Sequence, residues 1–470
     1  MTIGQLLRSQ QNTGVRTVFG METEYFLQGG SNRLAKTPQQ LTVQLLTWIE
    51  SNLPCAAEGF CLYLPNGGRC YEDIGNHLEI TTPECESPDE LVRFACAGDL
   101  LLAEAIKQCY PNDRSVTVWR GFASYHDGLV VASSHENYTA RNAATDYEAL
   151  LLPFLITRII FTGSGAMDWS GERPHFVLSP RAACINYSSL SDRRPTLWSH
   201  RESLCSARHR VHLTTGDAHG GEFTLFLRVA ATALVLAAAD VLCDRRPLVD
   251  LERPMETMDQ LNRDPTLRTL LPMKNGLSIS PFDIQRRYIE FVERAAATAQ
   301  FPSWTAKALQ LWKTTIDRLE TDPHSLDTTL DWRIRFRALA QVRDTMFTHV
   351  RTFRRAVVLL RTFDSHFLAV GESGFQQQLD ASGAQVVRSV PIQTTWDEVV
   401  LGAPATTRAS LRSEWIRAHS AAGLECKASW DALAGPETSK RIPKLFRDEY
   451  SPRWLRGFTA AISAASQFGP

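Results

Sequence analysis

The sequence predicts an α+β fold in which a mostly antiparallel sheet is covered on one side by helices. Segments with the alternation typical of strands are concentrated in the first half of the chain, whereas the chain from Asp283 onwards has a helical pattern. The pair Asn66-Gly67, set among alternating residues, is a strong hairpin signal. With 470 residues, the chain is long enough for one large domain and a smaller one.

The first predicted strand, residues 15–27, places Gly20, Glu22 and Glu24 on one face, because side chains alternate along a strand. The later elements are an amphipathic helix at 38–52, a hairpin with a further strand at 60–82, a helix from 88 to about 110, strands at 116–120 and 129–132, an apolar helix at 150–160, a strand at 210–215, and helices at 223–242, from 283, at 304–320 and at 333–362. A linker at 391–407 leads to a small C-terminal unit, so the predicted domains are 1–395 and 396–470.

The overall composition is that of a soluble globular protein, with 44% hydrophobic and 21% charged residues. A formal net charge of -1 argues against a general nucleic-acid or membrane-surface binder. The ten cysteines form no C-x-x-C pair and no metal-finger spacing, so we expect reduced thiols and a cytoplasmic location. The longest apolar run, 229–239, is shorter than the ~20 residues that span a bilayer and predicts a buried helix.

The segment 66–84 combines an arginine, a tyrosine, a histidine and several carboxylates in one predicted hairpin. Asn66-Gly67 predicts a type I′ turn, in which both central residues have positive φ. Alternation after that turn places Arg69, Tyr71 and Asp73 on one face. One strand therefore presents a cation, a phenol and a carboxylate together.

Two acidic strands that face a common cleft could hold Mg²⁺, which prefers oxygen ligands and keeps positions for water and phosphate. A simpler interpretation stays open for each part. Glu22-Thr23-Glu24 alone also fits a solvated strand face, Asp73 an exposed polar partner, and His77 a structural histidine. The hypothesis of a functional site rests on the convergence of these residues.

Two further polar segments are candidate parts of the site. Ser134 to Tyr138, which includes His135 and Glu136, is expected to form a loop between a strand and a helix, where active-site loops are common. Residues 216–222, which include Asp217 and Glu222, are expected to form a turn that offers backbone amides and an acid to a ligand.

With these segments in order, the chain resembles the Pup ligase and depupylase family, the proteasome accessory factor A type of carboxylate–amine ligases related to glutamine synthetase. The resemblance spans nearly the full length. The motifs that carry it are Gly20-Met21-Glu22-Thr23-Glu24-Tyr25, Asn66-Gly67-Gly68-Arg69-Cys70-Tyr71 with Asp73, His77-Leu78-Glu79, His135-Glu136-Asn137-Tyr138, Leu152-Pro153-Phe154 with Thr157-Arg158, Gly216-Asp217, Ser280 to Arg286, Leu330-Asp331-Trp332 and Thr406-Thr407-Arg408.

The resemblance implies a glutamine-synthetase-like sheet that forms a cradle for ATP and Mg²⁺, with a small C-terminal domain. By matching positions, it implies Mg²⁺ ligands at Glu22, Tyr71 and Glu79, and a catalytic aspartate at Asp73. It further implies ATP contacts at Arg69, Thr82 and Trp430, and a phosphate- or carboxylate-binding arginine at Arg201.

The family joins the side-chain carboxylate of a terminal glutamate on a small protein or peptide modifier to a lysine of an acceptor protein, or catalyses the reverse hydrolysis on the same scaffold. The hydrolase branch carries an insertion of roughly 40 residues before the hairpin, well beyond the usual loop length. Only 44 positions separate Glu22 from Asn66 here, and most of them belong to the helix 38–52 and its flanks, which favours the ligase.

Three alternatives to a Pup-type ligase stay open. The same fold supports a depupylase or deamidase, which would act on a modifier ending in Gln. Departures from the family pattern at Glu72, Leu78, Ser134 and Ala218-His219 also allow a ligase for another carboxylate, on a peptide or a metabolite. A nucleotide-binding scaffold without turnover is the third alternative, and the presence of Asp73 with the implied Mg²⁺ ligands argues against it.

Overall fold

The computed structural model describes residues 14–29, 36–59, 61–73, 77–113, 115–121, 133–141, 147–169, 174–182, 185, 198–199, 209–349, 353–371 and 395–467. Its centre is a nine-stranded sheet with the order β10-β11-β7-β1-β5-β4-β3-β2, and β6 pairs with the end of β1. The pairs described within this sheet are all antiparallel. The strands of this sheet are β1 (Phe19–Gln28), β2 (Ala56–Glu58), β3 (Cys61–Tyr63), β4 (Arg69–Asp73), β5 (His77–Thr81), β6 (Thr117–Arg120), β7 (Ser134–Ala140), β10 (Trp198–Ser199) and β11 (His209–Leu213).

Short strands form three smaller sheets outside this centre. They are the pair β8 (Ala166–Asp168) and β9 (His175–Val177), the pair β12 (Leu271–Pro272) and β13 (Ser278–Ile279), and the three-stranded sheet β14 (Lys427–Ala428), β15 (Ala432–Ala434) and β16 (Ser439–Arg441). The fold therefore combines antiparallel sheets with helices, as the sequence predicts.

Helices cover one face of the large sheet and enclose the main core with it. The α-helices of the described residues are α1 (Pro38–Asn52), α2 (Pro88–Cys109), α3 (Glu148–Thr162), α4 (Glu222–Leu242), α5 (Pro254–Asn262), α6 (Pro281–Ala296), α7 (Thr305–Thr321), α8 (Asp331–His349), α9 (Phe353–His366), α10 (Arg408–Ala421) and α11 (Pro452–Gln467). Of these, α10 and α11 contribute to a second, separate core. Among the described residues, α4 alone has the length and apolar composition of a membrane span, and it is mostly buried inside the protein. This is the position expected of a core helix.

The turn between β3 and β4 differs from the predicted type I′ turn. Gly67 has a φ of +86°, but Asn66 is not among the described residues with positive φ. The carbonyl of Leu64 accepts a hydrogen bond from the Gly67 N–H at 2.9 Å, and the Leu64 N–H donates to the Gly68 carbonyl at 2.9 Å. Pro65 lies inside this turn and fixes its own φ near the value of an ordinary turn, so one left-handed glycine suffices.

Three other sequence predictions need correction. Residues 134–138 form strand β7 and not a loop, because they pair with β1 on one side and β11 on the other. The predicted helix 333–362 is two helices, α8 and α9. The predicted linker contains a short helical turn, Asp397–Leu401, whose Val399 and Val400 are buried. The predicted strand at 129–132 lies outside the described residues.

The C-terminal unit comprises α10, the small sheet β14–β16 and α11. Its core contains Leu411, Trp415 and Phe458 together with Ala56 and Tyr63 of the large sheet. The unit therefore packs directly on β2 and β3, and the proposed domain boundary near residue 396 is crossed by a shared core.

Candidate functional site

The face of the large sheet opposite the helices collects polar side chains from neighbouring strands. Glu24 of β1 pairs with Glu79 of β5, and Glu79 pairs in turn with Tyr71 of β4. Glu22 lies opposite Thr81 on one side and opposite His135 of β7 on the other. Because partners in register project to the same face, the predicted acidic strand and hairpin are adjacent.

The first group on this face consists of Glu24, Asp73 and Glu79. One oxygen from each carboxylate lies within 4.8 Å of the others. The Tyr71 hydroxyl donates a hydrogen bond to Glu79. His77 pairs with Asp73 at the end of the hairpin. This places two buried carboxylates beside the half-buried Asp73.

The second group consists of Glu22, His135 and His212, whose ligand atoms also lie within 4.8 Å of one another. Glu22 Oε2 is 3.3 Å from His135 Nδ1 and 3.4 Å from His212 Nε2. Glu22 Oε1 accepts hydrogen bonds from Arg210 Nη2 at 2.8 Å and from Asn137 Nδ2 at 2.9 Å. One carboxylate is thus surrounded by donors from β7 and β11.

The two groups differ in their electrostatics. Burial, followed by the nearby charge of Glu22, raises the pKa of Glu79 to about 8. Burial opposes the ionisation of Glu22, yet the close approach of His135 and His212 holds the pKa of that carboxyl well below its usual range. Burial and Glu79 together raise the pKa of the Tyr71 hydroxyl. Ionisation of Glu79 is therefore disfavoured, whereas ionisation of Glu22 is favoured.

Arg69 and Trp430 lie together at the edge of this face. The Arg69 guanidinium carbon is 3.9 Å from the ring centroid of Tyr71 and 5.7 Å from that of Trp430. Trp430 in turn meets Tyr63 edge to face, with ring centroids 5.7 Å apart. The C-terminal unit thus places an aromatic ring next to the arginine of β4. Such a pair is suited to contact the aromatic base and the phosphates of a nucleotide.

Thr82 connects the end of β5 with the start of β1. Its Oγ1 accepts a hydrogen bond from the Met21 N–H at 3.0 Å, and its own N–H donates to the Met21 carbonyl at 2.8 Å. A Cβ on Gly20 would lie 3.3 Å from that Oγ1, so glycine leaves room for the threonine. Thr82 thereby fixes the backbone directly before Glu22.

The donor set on this face fits a hard divalent cation. Mg²⁺ takes carboxylate oxygens and retains positions for water and phosphate. Three carboxyl groups lie together, and burial and Glu22 raise the pKa of one of them, Glu79, to about 8. A bound cation would favour the ionised form of Glu79 and take its oxygen as a ligand. The second group offers one carboxylate and two imidazoles, a mixed set that also binds divalent ions.

Glu136, Asp217 and Glu222 do not join these groups. Glu136 faces the helices, where Arg158 Nη2 donates to its Oε1 at 2.6 Å. The carboxylate of Asp217 accepts hydrogen bonds from the Ser164 N–H and the Ser179 hydroxyl. These bonds connect separate segments of the chain and indicate a structural role.

Glu222 begins α4, where a carboxylate in the first turn is favoured by the helix dipole. Arg201 lies outside the described residues.

Sequence reasoning missed His212 and Arg210, and it included Asn137 in a candidate segment without giving it a role. The signal was present, because alternation along 209–213 places Arg210 and His212 on one face and alternation along 134–140 does the same for His135 and Asn137. The missing information was the pairing of β11 with β7, which are separated by more than 60 residues in sequence.

The chain matches known proteins in sequence along most of its length. A family model described as Pup-ligase protein matches residues 17–434. A Pup–protein ligase of Acidimicrobium ferrooxidans is 29% identical over 448 residues, which cover 92% of this chain and 95% of that protein. A Pup–protein ligase of Jonesia denitrificans is 27% identical over 449 residues, 91% of this chain and 94% of the relative.

Two solved structures are similar to the fold. The first, a complex between the prokaryotic ubiquitin-like protein Pup and its ligase PafA, has a TM-score of 0.82 at 22% identity and covers 97% of this chain and 93% of that chain. The second, the Pup ligase PafA in complex with ADP, has a TM-score of 0.74 at 20% identity over 100% of both chains. The antiparallel cradle with its C-terminal unit is therefore a known arrangement.

Proposed function

Because this chain belongs to the Pup-ligase protein family, we propose that it is an ATP-dependent carboxylate–amine ligase. Its substrates would be a Pup-like modifier that ends in glutamate and a lysine-bearing acceptor protein. The relatives that match over nine-tenths of the chain are named Pup–protein ligases, which favours the ligase over the hydrolase.

The reaction needs two steps, because a carboxylate is a poor acyl donor. The γ-phosphoryl group of ATP passes to the glutamate side chain, which gives an acyl phosphate and ADP. The lysine amine then attacks the acyl carbon, the C–N bond forms and inorganic phosphate leaves. Bound Mg²⁺ ions would supply charge neutralisation at the phosphates.

The single observation that carries the proposal is the convergence of Glu24, Asp73 and Glu79 within 4.8 Å beside Arg69. We assign cation binding to Glu22, Tyr71 and Glu79, with Glu24 as a neighbouring acid. The hydrogen bond from Tyr71 to Glu79 supports a shared role for these two side chains.

Arg69, Thr82 and Trp430 are assigned to the nucleotide. Arg69 would offset phosphate charge that the cations leave, and the adjacent ring of Trp430, 5.7 Å from that guanidinium, would contact the nucleoside. Thr82 holds the backbone next to Glu22 and is placed to align the phosphates with the cations.

Asp73 is assigned as the general base. Lysine reaches the site as an ammonium ion, which cannot attack until it loses a proton. Asp73 lies at the end of β4, half-buried and within the acidic group, where it can accept that proton from an incoming side chain. The neighbouring carboxylates would also attract the ammonium ion before the transfer.

The test is a ligation assay with defined partners. The protein is incubated with MgATP, a modifier peptide that ends in glutamate and a lysine-bearing acceptor, and products are followed by mass spectrometry together with ADP release. The ligase is supported by a covalent adduct whose mass equals the sum of the two partners less one water, with one ADP released per bond. Ammonia release from a glutamine-terminated peptide without adduct would instead identify a hydrolase. If neither the adduct nor ammonia is formed, both activities are refuted.

A further inference from the structure

Arg412 of helix α10 is fully buried and binds three separate segments of the chain. Its Nε and Nη2 both donate to the carbonyl of Gly67, at 2.9 and 2.8 Å. Nη2 also donates to Glu84 Oε2 at 2.5 Å, and Nη1 donates to the carbonyl of Trp430 at 3.0 Å. One guanidinium therefore joins the β3–β4 turn, the chain after β5 and the loop between β14 and β15.

Each of these three segments carries one of the residues assigned to the nucleotide. Gly67 precedes Arg69 by two positions, Glu84 follows Thr82 by two positions, and the third contact is to Trp430 itself. The guanidinium carbon of Arg412 also lies 4.8 Å from the ring centroid of Trp430. The three proposed nucleotide contacts come from distant parts of the sequence, and Arg412 contacts the backbone or side chain next to all of them.

We propose that Arg412 is a positioning residue which sets the relative placement of Arg69, Thr82 and Trp430 and thereby determines the affinity for the nucleoside triphosphate. This inference rests on the proposed function, because it takes these three residues as the nucleotide site. Arg412 is buried behind that site and acts through its neighbours.

The chemistry of the side chain suits this role. A guanidinium presents five N–H donors in a rigid planar fork, whereas the lysine ammonium is a compact point charge. All three nitrogens of the Arg412 guanidinium donate hydrogen bonds. Nε and Nη2 both donate to the carbonyl of Gly67, and Nη1 donates to that of Trp430. A lysine at this position can retain the charge beside Glu84 but cannot hold Gly67 and Trp430 at the same time.

The same helix offers a matched control one turn earlier. Arg408 is also fully buried and donates through Nε to the other oxygen of Glu84, Oε1, at 2.9 Å. Its Nη1 donates to the carbonyl of Ile442 at 3.3 Å, in the segment that follows β16. Arg408 thus shares the burial, the helix and the carboxylate partner of Arg412, but it donates to the carbonyl of Ile442 where Arg412 donates to those of Gly67 and Trp430.

The experiment compares Arg412→Lys with Arg408→Lys in the full chain. Thermal melting of both variants reports the loss of the buried contacts, and we expect similar decreases. We expect Arg412→Lys to raise the KM for ATP and the Kd for MgADP by about 10-fold or more while kcat changes much less, and Arg408→Lys to leave both nucleotide constants within about 3-fold of the wild type. Equal nucleotide constants in the two variants would overturn the inference, because a purely structural role affects stability alone.

The wild type separates this inference from the proposed function. If the wild-type protein binds no MgADP, the proposed function fails, and this inference fails with it. If the wild type binds MgADP and Arg412→Lys binds it equally well, only the inference fails.

Amide hydrogen exchange of the wild type provides a second test should Arg412→Lys not fold. MgADP is expected to slow exchange together in 66–70 and in 429–432, and less in 439–443, which contains the Arg408 partner Ile442. Protection of only one of the first two segments would contradict a shared anchor.

Discussion

Two buried groups of charged side chains lie on opposite faces of the same sheet and are balanced in different ways. Strand β7 contributes Glu136 to the face under the helices and His135 to the opposite face. Glu136 is bonded by Arg158 through both oxygens and lies 3.3 Å from Arg228 Nε. On the opposite face, by contrast, oxygens of three carboxyl groups lie within 4.8 Å of one another.

The pKa shifts show what this difference means. Burial opposes the ionisation of Glu136, but the charges of Arg158 and Arg228 lower the pKa of that carboxyl. Burial and Glu22 raise the pKa of Glu79 to about 8. In the core, arginines favour the ionised form of Glu136, whereas on the opposite face burial and Glu22 disfavour the ionised form of Glu79. A cation bound beside Glu79 would favour its ionised form.

The largest expected effect comes from the acid assigned to chemistry. Replacement Asp73→Asn removes the proton acceptor and keeps the size of the side chain, so we expect kcat for ligation to fall by about 10²–10⁴-fold. Binding of MgADP, measured by calorimetry, should stay close to that of the wild type. Ligation at the wild-type rate in this variant would remove the assigned role from Asp73.

A pair of matched amide substitutions sharpens the comparison of the two faces. Glu136→Gln leaves Arg158 and Arg228 buried without their carboxylate, and we expect a loss of about 3–5 kcal/mol in the free energy of unfolding. Glu79→Gln removes a carboxyl whose ionisation is opposed by burial and by Glu22, so the metal-free variant should be as stable as the wild type or more stable. Chemical denaturation without divalent ions measures both. Equal destabilisation by the two substitutions would contradict the difference in charge balance.

A smaller effect is expected at the histidines that contact Glu22. His212→Ala should weaken Mn²⁺ binding by about 10-fold, because it removes a donor and a possible ligand from the second group. His209, which is exposed on the same strand, provides the control, and His209→Ala should leave the affinity unchanged. Titration calorimetry distinguishes the two variants. Unaltered affinity in His212→Ala would exclude this group from cation binding.

The smallest expected effect is the pH dependence of the core group. Because the pKa of Glu136 is lowered on folding, its contribution is fully present above the usual value of 4.5 and is lost as the pH falls through the folded value. The stability difference between the wild type and Glu136→Gln should therefore narrow below pH 4.5, with a slope of at most about 1.4 kcal/mol per pH unit. Denaturation curves of both proteins from about pH 3 to about pH 6 measure this difference. A difference that stays constant over that range would contradict the lowered pKa.

Local patterns were sufficient to predict much of the fold. The helix 38–52 agrees with α1, and Glu22 and Glu24 share a strand face as alternation requires. The neighbouring positions of Arg69, Tyr71 and Asp73 on β4 follow from the same rule. These features depend on residues close in sequence.

Other features could not be predicted because they depend on distant pairing. His135 and Glu136 are adjacent in sequence, yet they project from opposite faces of the sheet, and only the register of β7 decides which face each one takes. The approach of Trp430 to Arg69 requires the C-terminal unit to pack on β2 and β3. Family resemblance indicated Trp430, but periodicity alone gave no reason to place it there.

The most direct test of the central claim is anomalous diffraction from crystals grown with Mn²⁺ and ADP. The account predicts metal peaks within about 2.0–2.3 Å of carboxylate oxygens of Glu22 and Glu79, with the nucleotide phosphates beside Arg69. Cations and ADP bound elsewhere, with Glu22 and Glu79 free of both, would contradict it.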